Sequence, residues 1–485
     1  MNWKLIIKIQ GIILLILSFS MTVPLVFSLW YGSDDKTAIT AGILLTAVAG
    51  LLPVLFLKTD GELRAKEGFV IVSMGWIFAA LFGALPFFFY GVFGNNYIDC
   101  FFETMSGFTT TGATVLKDIE SLPQGILFWR SMTHWLGGMG IIMLTIAILP
   151  ILGLSSYQLY RAEVPGPTKD RISPRIKDTA KILWLIYFGM TVLQTVLLIL
   201  GGLSLFDSLC HTFGTLATGG FSTQNASIAG YGSLYIEIVI MAFMYLAGIN
   251  FALHFHLVRG KIGELLSNRE WQFYTAILAL SVIVVSLNLY AKDIYAGFWI
   301  SLRYAGFQVL SITTTTGFVS ADFELWPYFS KYILVLLMFL GGCSGSTGGG
   351  IKQIRIMILF KTAYNEIKKL AHPKSFFSLK IGSYPFPETV IRNVAGFFVL
   401  FIFFFFLSTL LLSLMGYDMI TAFSASIATL GNIGPGLSMV GATENYAFFD
   451  NASKLLLCFN MLLGRLEIYS VLILLYTVSG LKSSS

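Results

Sequence analysis

Apolar stretches recur along this chain at the length a bilayer demands, and that feature decides what it can fold into. Crossing roughly 30 Å of hydrocarbon takes about 20 residues of helix. Runs bounded by charge or by Pro and Gly predict ten spans, at 5–30, 38–57, 68–93, 124–152, 178–202, 231–258, 270–291, 328–365, 388–416 and 454–480. Lipid offers backbone groups no partners, so such spans must satisfy their own hydrogen bonds as helices. Composition agrees: of 485 residues, 56% are hydrophobic and 12% charged, where a soluble domain carries about 25% charged residues. The chain reads as an all-α polytopic membrane protein. Its opening, Met1-Asn-Trp-Lys4 followed by an apolar run to about Trp30, is longer than a signal-peptide core and is read as the first span.

The net charge of +6 does not point to nucleic acid, because basic residues concentrate in every second connection. One group is Lys58, Arg64 and Lys66; a second runs from Arg161 to Lys181; a third is Arg259, Lys261 and Arg269; the last runs from Lys352 to Arg392. The alternate connections hold little Lys or Arg, and that asymmetry marks the basic side as cytoplasmic. With an even number of spans, both termini are expected in the cytoplasm. The basic loops suit anionic lipid or a cytosolic partner, or they are simply solvated. Cys100, Cys210, Cys343 and Cys458 have no paired spacing, and the five histidines form no i,i+4 metal pair. No nucleophile and base suggest an enzyme, and no organic cofactor is expected in this chain.

Four outward connections each contain a further apolar segment of about ten residues, too short to cross and suited to a re-entrant helix. They begin at Asp99, Asp207, Tyr304 and Asp418. Each leads to a Thr and Gly motif: Thr110-Thr111-Gly112, Thr218-Gly219-Gly220, Thr315-Thr316-Gly317 and Thr429-Leu430-Gly431. The glycine stands thirteen residues after the opening residue in every case. One such motif among 47 glycines would mean little; four in the same context predict a repeated unit of helix, re-entrant helix, extended loop and helix. The expected organisation is two extra N-terminal helices (1–66) and four tandem repeats (67–155, 156–262, 263–372 and 373–485) in pseudo-fourfold array around one pore.

The residue types fit cation passage. An ion leaving water needs oxygen ligands in place of its hydration shell, and rings of backbone carbonyls supply them. Glycine adopts the backbone angles this requires, Thr adds a hydroxyl, and the negative C-terminal ends of the short helices favour a cation.

On these motifs the chain resembles the Trk/Ktr/HKT superfamily of potassium transporters, most closely its bacterial Trk potassium-uptake membrane subunits of the TrkH/TrkG type. The likeness runs through Gly107–Thr114, Gly137–Ile142, Leu159–Pro167, Gly219–Thr223, Gly341–Gly350, Asn432–Gly436 and Gly464–Glu467. The resemblance implies K⁺ uptake across the bacterial inner membrane through a selectivity filter built from the twelve residues above. It also implies a homodimer gated by a cytosolic nucleotide-binding regulatory subunit, TrkA-like. Glycine at all four filter centres is similar to the potassium-selective pattern, whereas relatives with Ser in the first repeat favour Na⁺.

Two further features gain meaning beside it. Arg465 lies within the tenth span, where a charge needs water or a partner; a neighbouring carboxylate is one explanation, and the resemblance implies a barrier to cations below the filter. The glycine-rich run 341–350 must interrupt the eighth span, since glycine weakens a helix by about 1 kcal/mol each relative to Ala. A kink for close packing would explain it; the resemblance implies an intramembrane gate, with Gly345, Ser346, Thr347 and Gly348 at its tip. A break in one repeat of four favours the gate. The competing reading is a secondary ion-coupled transporter (K⁺ with H⁺ or Na⁺, that is, symport) or a Na⁺-permeable relative; the few acidic residues within spans argue against a proton relay.

Overall fold

The structure is a computed structural model that describes residues 1–58, 64–140, 176–372, 379–382 and 384–478. Six helical stretches among them are long and apolar enough to cross a membrane: Trp3–Tyr31, Lys36–Phe56, Lys66–Tyr90, Asp178–Leu200, Arg269–Ala291 and Glu388–Leu414. Two more reach that length as bent pairs, Leu234–Ala247 with Phe251–Val258 (105°) and Asn451–Arg465 with Tyr469–Thr477 (116°). The fourth expected span is described as Gln124–Gly138, and its extension to 152 lies outside the described residues. So do the 159–167 motif and most of the basic connection around it. The eighth span is two helices, Tyr328–Met338 and Gln353–Ala371, separated by the glycine-rich run. One small addition was not foreseen: Lys380–Ile381 and Tyr384–Pro385 pair as a two-residue antiparallel hairpin.

Large apolar side chains such as Phe56, Val258, Leu410 and Leu414 face outward. In lipid this carries no penalty, so helices associate through close backbone approach rather than hydrophobic burial. The N-terminal pair shows it. Trp3–Ser20 packs on Lys36–Phe56, and a Cβ on Gly11 would lie 2.6 Å from the Gly50 carbonyl while one on Gly50 would lie 2.7 Å from that of Gly11. Buried Asp35 ties this pair to the first repeat by accepting from the Ser28 hydroxyl and from the Ile126 N–H (2.7 Å) at the start of Gln124–Gly138.

Four short helices organise the rest: Tyr97–Phe108, Leu205–Leu216, Phe298–Thr313 and Met419–Leu430. Each packs against the helix that follows it and against the corresponding helix of the preceding unit. Thus Leu205–Leu216 sits between Leu234–Ala247 and Gln124–Gly138, Phe298–Thr313 between Tyr328–Met338 and Leu234–Ala247, and Met419–Leu430 between Asn451–Arg465 and Tyr328–Met338. The first closes the circle by packing on Gln124–Gly138 and on Asn451–Arg465. The four units therefore surround one axis.

The interruption of the eighth span is not unique, contrary to the sequence expectation. The sixth and tenth spans break at the same relative place, around Gly248–Asn250 and Leu466–Ile468. What sets the third unit apart is the length of its insertion, from Phe339 to Lys352, against three residues in the other two.

Candidate functional site

Where each short helix ends, the chain enters a strained turn. Thr110, Thr218, Thr315 and Asn432 have φ of 54°, 54°, 60° and 54°, and Gly112, Gly220, Gly317 and Gly434 have φ of 81°, 80°, 80° and 95°. Left-handed backbone is rare for a β-branched residue and costs about 1–3 kcal/mol at such sites. Three threonines hold it in equivalent positions, so the surroundings impose it. The intervening residue keeps negative φ, and alternation of hand turns successive carbonyls to the same side of the chain.

The glycines reveal how the four turns meet. A Cβ on Gly112 would collide with the carbonyl oxygen of Gly219, one on Gly220 with that of Thr316, one on Gly317 with that of Ile433, and one on Gly434 with that of Thr111. First meets second, second third, third fourth and fourth first. The oxygens of Thr111, Gly219, Thr316 and Ile433 thus form a closed ring, and no side chain larger than hydrogen fits at the four glycines. All four glycines line one cavity of about 150 Å³ on the outer side. At its rim the Asn225 amide donates to Asp118 (2.9 Å), which holds that carboxyl below the usual carboxylate range and ionised at neutral pH.

The fourth corner corrects the sequence expectation. Thr429, Leu430 and Gly431 do not reach the ring: Thr429 and Leu430 are the last residues of the helix, and Gly431 is its cap with ordinary right-handed φ of −80°. Asn432, Ile433 and Gly434 stand there instead. The shift has a definite origin. Asp99 and Asp207 occupy the third helical position, behind the capping residues Asn96 and Ser204, whereas Asp418 is itself the cap, accepting from the Thr421 N–H at 3.1 Å. Counting from the caps places all three glycines sixteen residues on, at 112, 220 and 434. Asn replaces Thr there, and Asn tolerates left-handed backbone better than most residues. Its side chain also joins the ring's inner end, donating to Thr111 Oγ1 and to the Met461 carbonyl, both at 2.9 Å. Tyr304 is likewise no helix start, since the third short helix begins at Phe298.

Beneath the ring lies the glycine-rich loop. Leu340 and Ile351 bridge its neck. Thr347 Oγ1, at its tip, donates to the Leu216 carbonyl (2.9 Å), and the Gly349 N–H, just past the tip, to Thr315 Oγ1 (2.6 Å). Arg465 reaches across, donating to the Thr347 carbonyl (2.7 Å) and to the Gly137 and Gly138 carbonyls (2.6 and 3.0 Å). Lys352, assigned from sequence to the last basic connection, is instead buried here and donates to the Gly348 carbonyl, and Glu467 is ion-paired with Arg355. An inner cavity of about 90 Å³ is lined by Gly138, Gly345 to Gly350, Lys352 and Arg465. The loop and two cationic side chains therefore occupy the space directly below the ring.

Glu270 ties the first limb of this loop to the helix that follows it, its Oε1 accepting from the Ser344 N–H (2.7 Å) and the Ile354 N–H (3.0 Å). A buried N–H left without an acceptor costs about 1–3 kcal/mol. Glu270→Ala is therefore expected to speed amide exchange at Ser344 and Ile354 roughly tenfold, read by hydrogen–deuterium exchange, while exchange in Arg269–Ala291 stays nearly unchanged.

A ring of carbonyls closed by four pseudo-equivalent units inside a helical membrane protein defines a cation-transport protein rather than an enzyme. Residues 35–480 match the family described as TrkH, cation transport protein. The chain is 40% identical over 477 residues, 98% of each chain, to the Trk system potassium uptake protein TrkH of Escherichia coli K12. It is 35% identical to TrkG of the same organism over 97% of each. It superposes on the crystal structure of the potassium transporter TrkH from Vibrio parahaemolyticus with a TM-score of 0.88 and 35% identity, covering 98% of this chain and 99% of that one. The chain belongs to the TrkH family.

Proposed function

We propose that this chain conducts K⁺ into the bacterial cell as the membrane subunit of a Trk-type uptake system. The observation that carries the reading is the closed ring of carbonyls from Thr111, Gly219, Thr316 and Ile433, each against the glycine of the next unit. Such oxygens replace a hydration shell. The C-terminal ends of four short helices add partial negative charge at the same level. The filter then comprises Thr110 to Gly112, Thr218 to Gly220, Thr315 to Gly317 and Asn432 to Gly434. K⁺ is the cargo, as the names of the relatives suggest.

The glycine-rich loop, with Gly345, Ser346, Thr347 and Gly348 at its tip and Arg465 as its tether, is the gate of this pathway. The alternating basic connections support an inner-membrane orientation with both termini cytoplasmic. The same basic faces suit a cytosolic, nucleotide-binding, TrkA-like regulator acting on a homodimer.

Flux into liposomes holding the purified chain tests the proposal. K⁺ is expected to permeate well ahead of Na⁺ and Li⁺. Equal permeation of the three ions would defeat it.

A further inference from the structure

The four joints between neighbouring filter loops are not built alike. The joint between the second and third is made by the Val319 N–H on Ser227 Oγ (3.1 Å) and the Ala229 N–H on the Val319 carbonyl (3.1 Å). Between third and fourth, the Ser438 N–H donates to Glu324. Between fourth and first, the Tyr446 N–H donates to the Thr114 carbonyl (2.8 Å). These lie in the outer loops above the ring.

The joint between first and second has outer-loop bonds too, Asn225 accepting from the Ile119 N–H (2.7 Å) and donating to Asp118 (2.9 Å), but it also runs through a charge buried behind the filter. Glu103, on the first short helix, accepts from Thr114 Oγ1 (2.9 Å) and from the Val115 N–H (3.0 Å), which fixes the strand leaving Gly112. Arg130, on the following helix, donates through Nε to the same carboxylate (2.7 Å) and through its η1 nitrogen to the Ser222 carbonyl (3.0 Å), on the strand leaving Gly220. Its guanidinium also lies 3.6 Å above the centre of the Phe221 ring. The two side chains are 2% and 0% exposed, the most fully buried ion pair among the described residues. Ser222 is held from the other side as well, its hydroxyl 2.9 Å from His211 Nε2.

We infer that Arg130 is a specificity-determining positioning residue: through one planar group it fixes the spacing between the first and second filter strands. The sequence register supports this. Nine residues before the filter glycine stand Glu103, His211, Gln308 and Ala425, so a carboxylate able to hold an arginine there exists in the first unit alone. A guanidinium can serve both acceptors because its donors diverge in a fixed plane, and that plane also stacks on Phe221. Lysine, a point charge, can neutralise Glu103 without bridging to Ser222. Removing the cation altogether leaves Glu103 as an unpaired buried charge, a far harsher change.

This inference rests on the filter reading above, and the test separates the two. K⁺ and Na⁺ fluxes are measured in liposomes for the parent, Arg130→Lys, Arg130→Gln, the double variant Glu103→Gln with Arg130→Gln, and Arg303→Lys. Arg303 makes an equally close pair with Glu237 (2.6 Å) away from the filter strands. Arg130→Lys is expected to fold, because Glu103 keeps a counter-charge, and to lower the K⁺-to-Na⁺ flux ratio at least fivefold. Arg303→Lys is expected to keep the parental ratio. The double variant should recover the yield lost in Arg130→Gln but not the ratio, since the Ser222 carbonyl still lacks its link to the first strand.

A parental ratio in folded Arg130→Lys would overturn the inference, whatever becomes of Arg130→Gln. An unselective parent would instead defeat the proposed function.

Discussion

Gly220→Ser is expected to lower K⁺ flux into liposomes roughly a hundredfold while the protein remains folded. Two effects add. Any L-residue at φ of 80° pays about 1–2 kcal/mol for left-handed backbone. The new Cβ would also collide with the Thr316 carbonyl oxygen, so that one of four ring oxygens must swing away. Together these amount to about 3 kcal/mol against the conducting geometry, and each 1.4 kcal/mol is about a factor of ten. The displaced oxygen leaves the ring with three of its four carbonyls in place, so the K⁺-to-Na⁺ ratio should fall with the flux. Gly189 is the natural control. It lies in the Asp178–Leu200 span with open space where its Cβ would be, and Gly189→Ser should behave as the parent. Parental flux and selectivity in folded Gly220→Ser would show that these carbonyls do not conduct.

How much of this was readable beforehand depended on how local each signal was. Hydropathy located six spans outright, and two more as bent pairs, because lipid imposes a length on each of them. Three of the four corners of the carbonyl ring were readable because a β-branched Thr before a glycine, at the end of a short apolar helix, is a local pattern. The fourth was misplaced by three residues because Asp418 plays a different capping role from Asp99 and Asp207. Any of the first helical positions suits an acidic residue, so the acid alone does not fix the register. Asn432, in a motif already noted as Asn432–Gly436, was the available signal, given its tolerance of positive φ. Glu270 and the Glu103–Arg130 pair were not readable at all. Their partners lie tens of residues away in sequence, as with Glu270 and Ile354 or Arg130 and Ser222. Breaks in the sixth and tenth spans escaped because Gly248 or Gly464 alone is compatible with a continuous apolar run.

Deleting Gly345 to Gly348 is expected to raise K⁺ flux through the purified chain roughly a hundredfold in the absence of any regulator. The neck of the loop survives the deletion, because Leu340 and Ile351 already bridge one another and the shortened segment still connects them. What disappears is the tip. With Thr347 go its bond to the Leu216 carbonyl and the carbonyl that Arg465 holds at 2.7 Å; with Gly348 goes the acceptor of Lys352. A hydrogen bond to a charged group contributes about 1.5–3 kcal/mol and a neutral one about 1. Losing two of the first kind and one of the second would therefore remove about 4 kcal/mol or more from the blocked state, and about 3 kcal/mol is already roughly a hundredfold change in population. Arg465 keeps its bonds to the Gly137 and Gly138 carbonyls, so its charge stays below the ring and the rise should stop short of a fully open pathway. Selectivity should be untouched, since the deleted residues supply no oxygen to the ring, and the K⁺-to-Na⁺ ratio measured alongside the flux checks that. An unchanged flux in a deletion variant of parental thermal stability would mean that the loop packs beneath the ring without closing it.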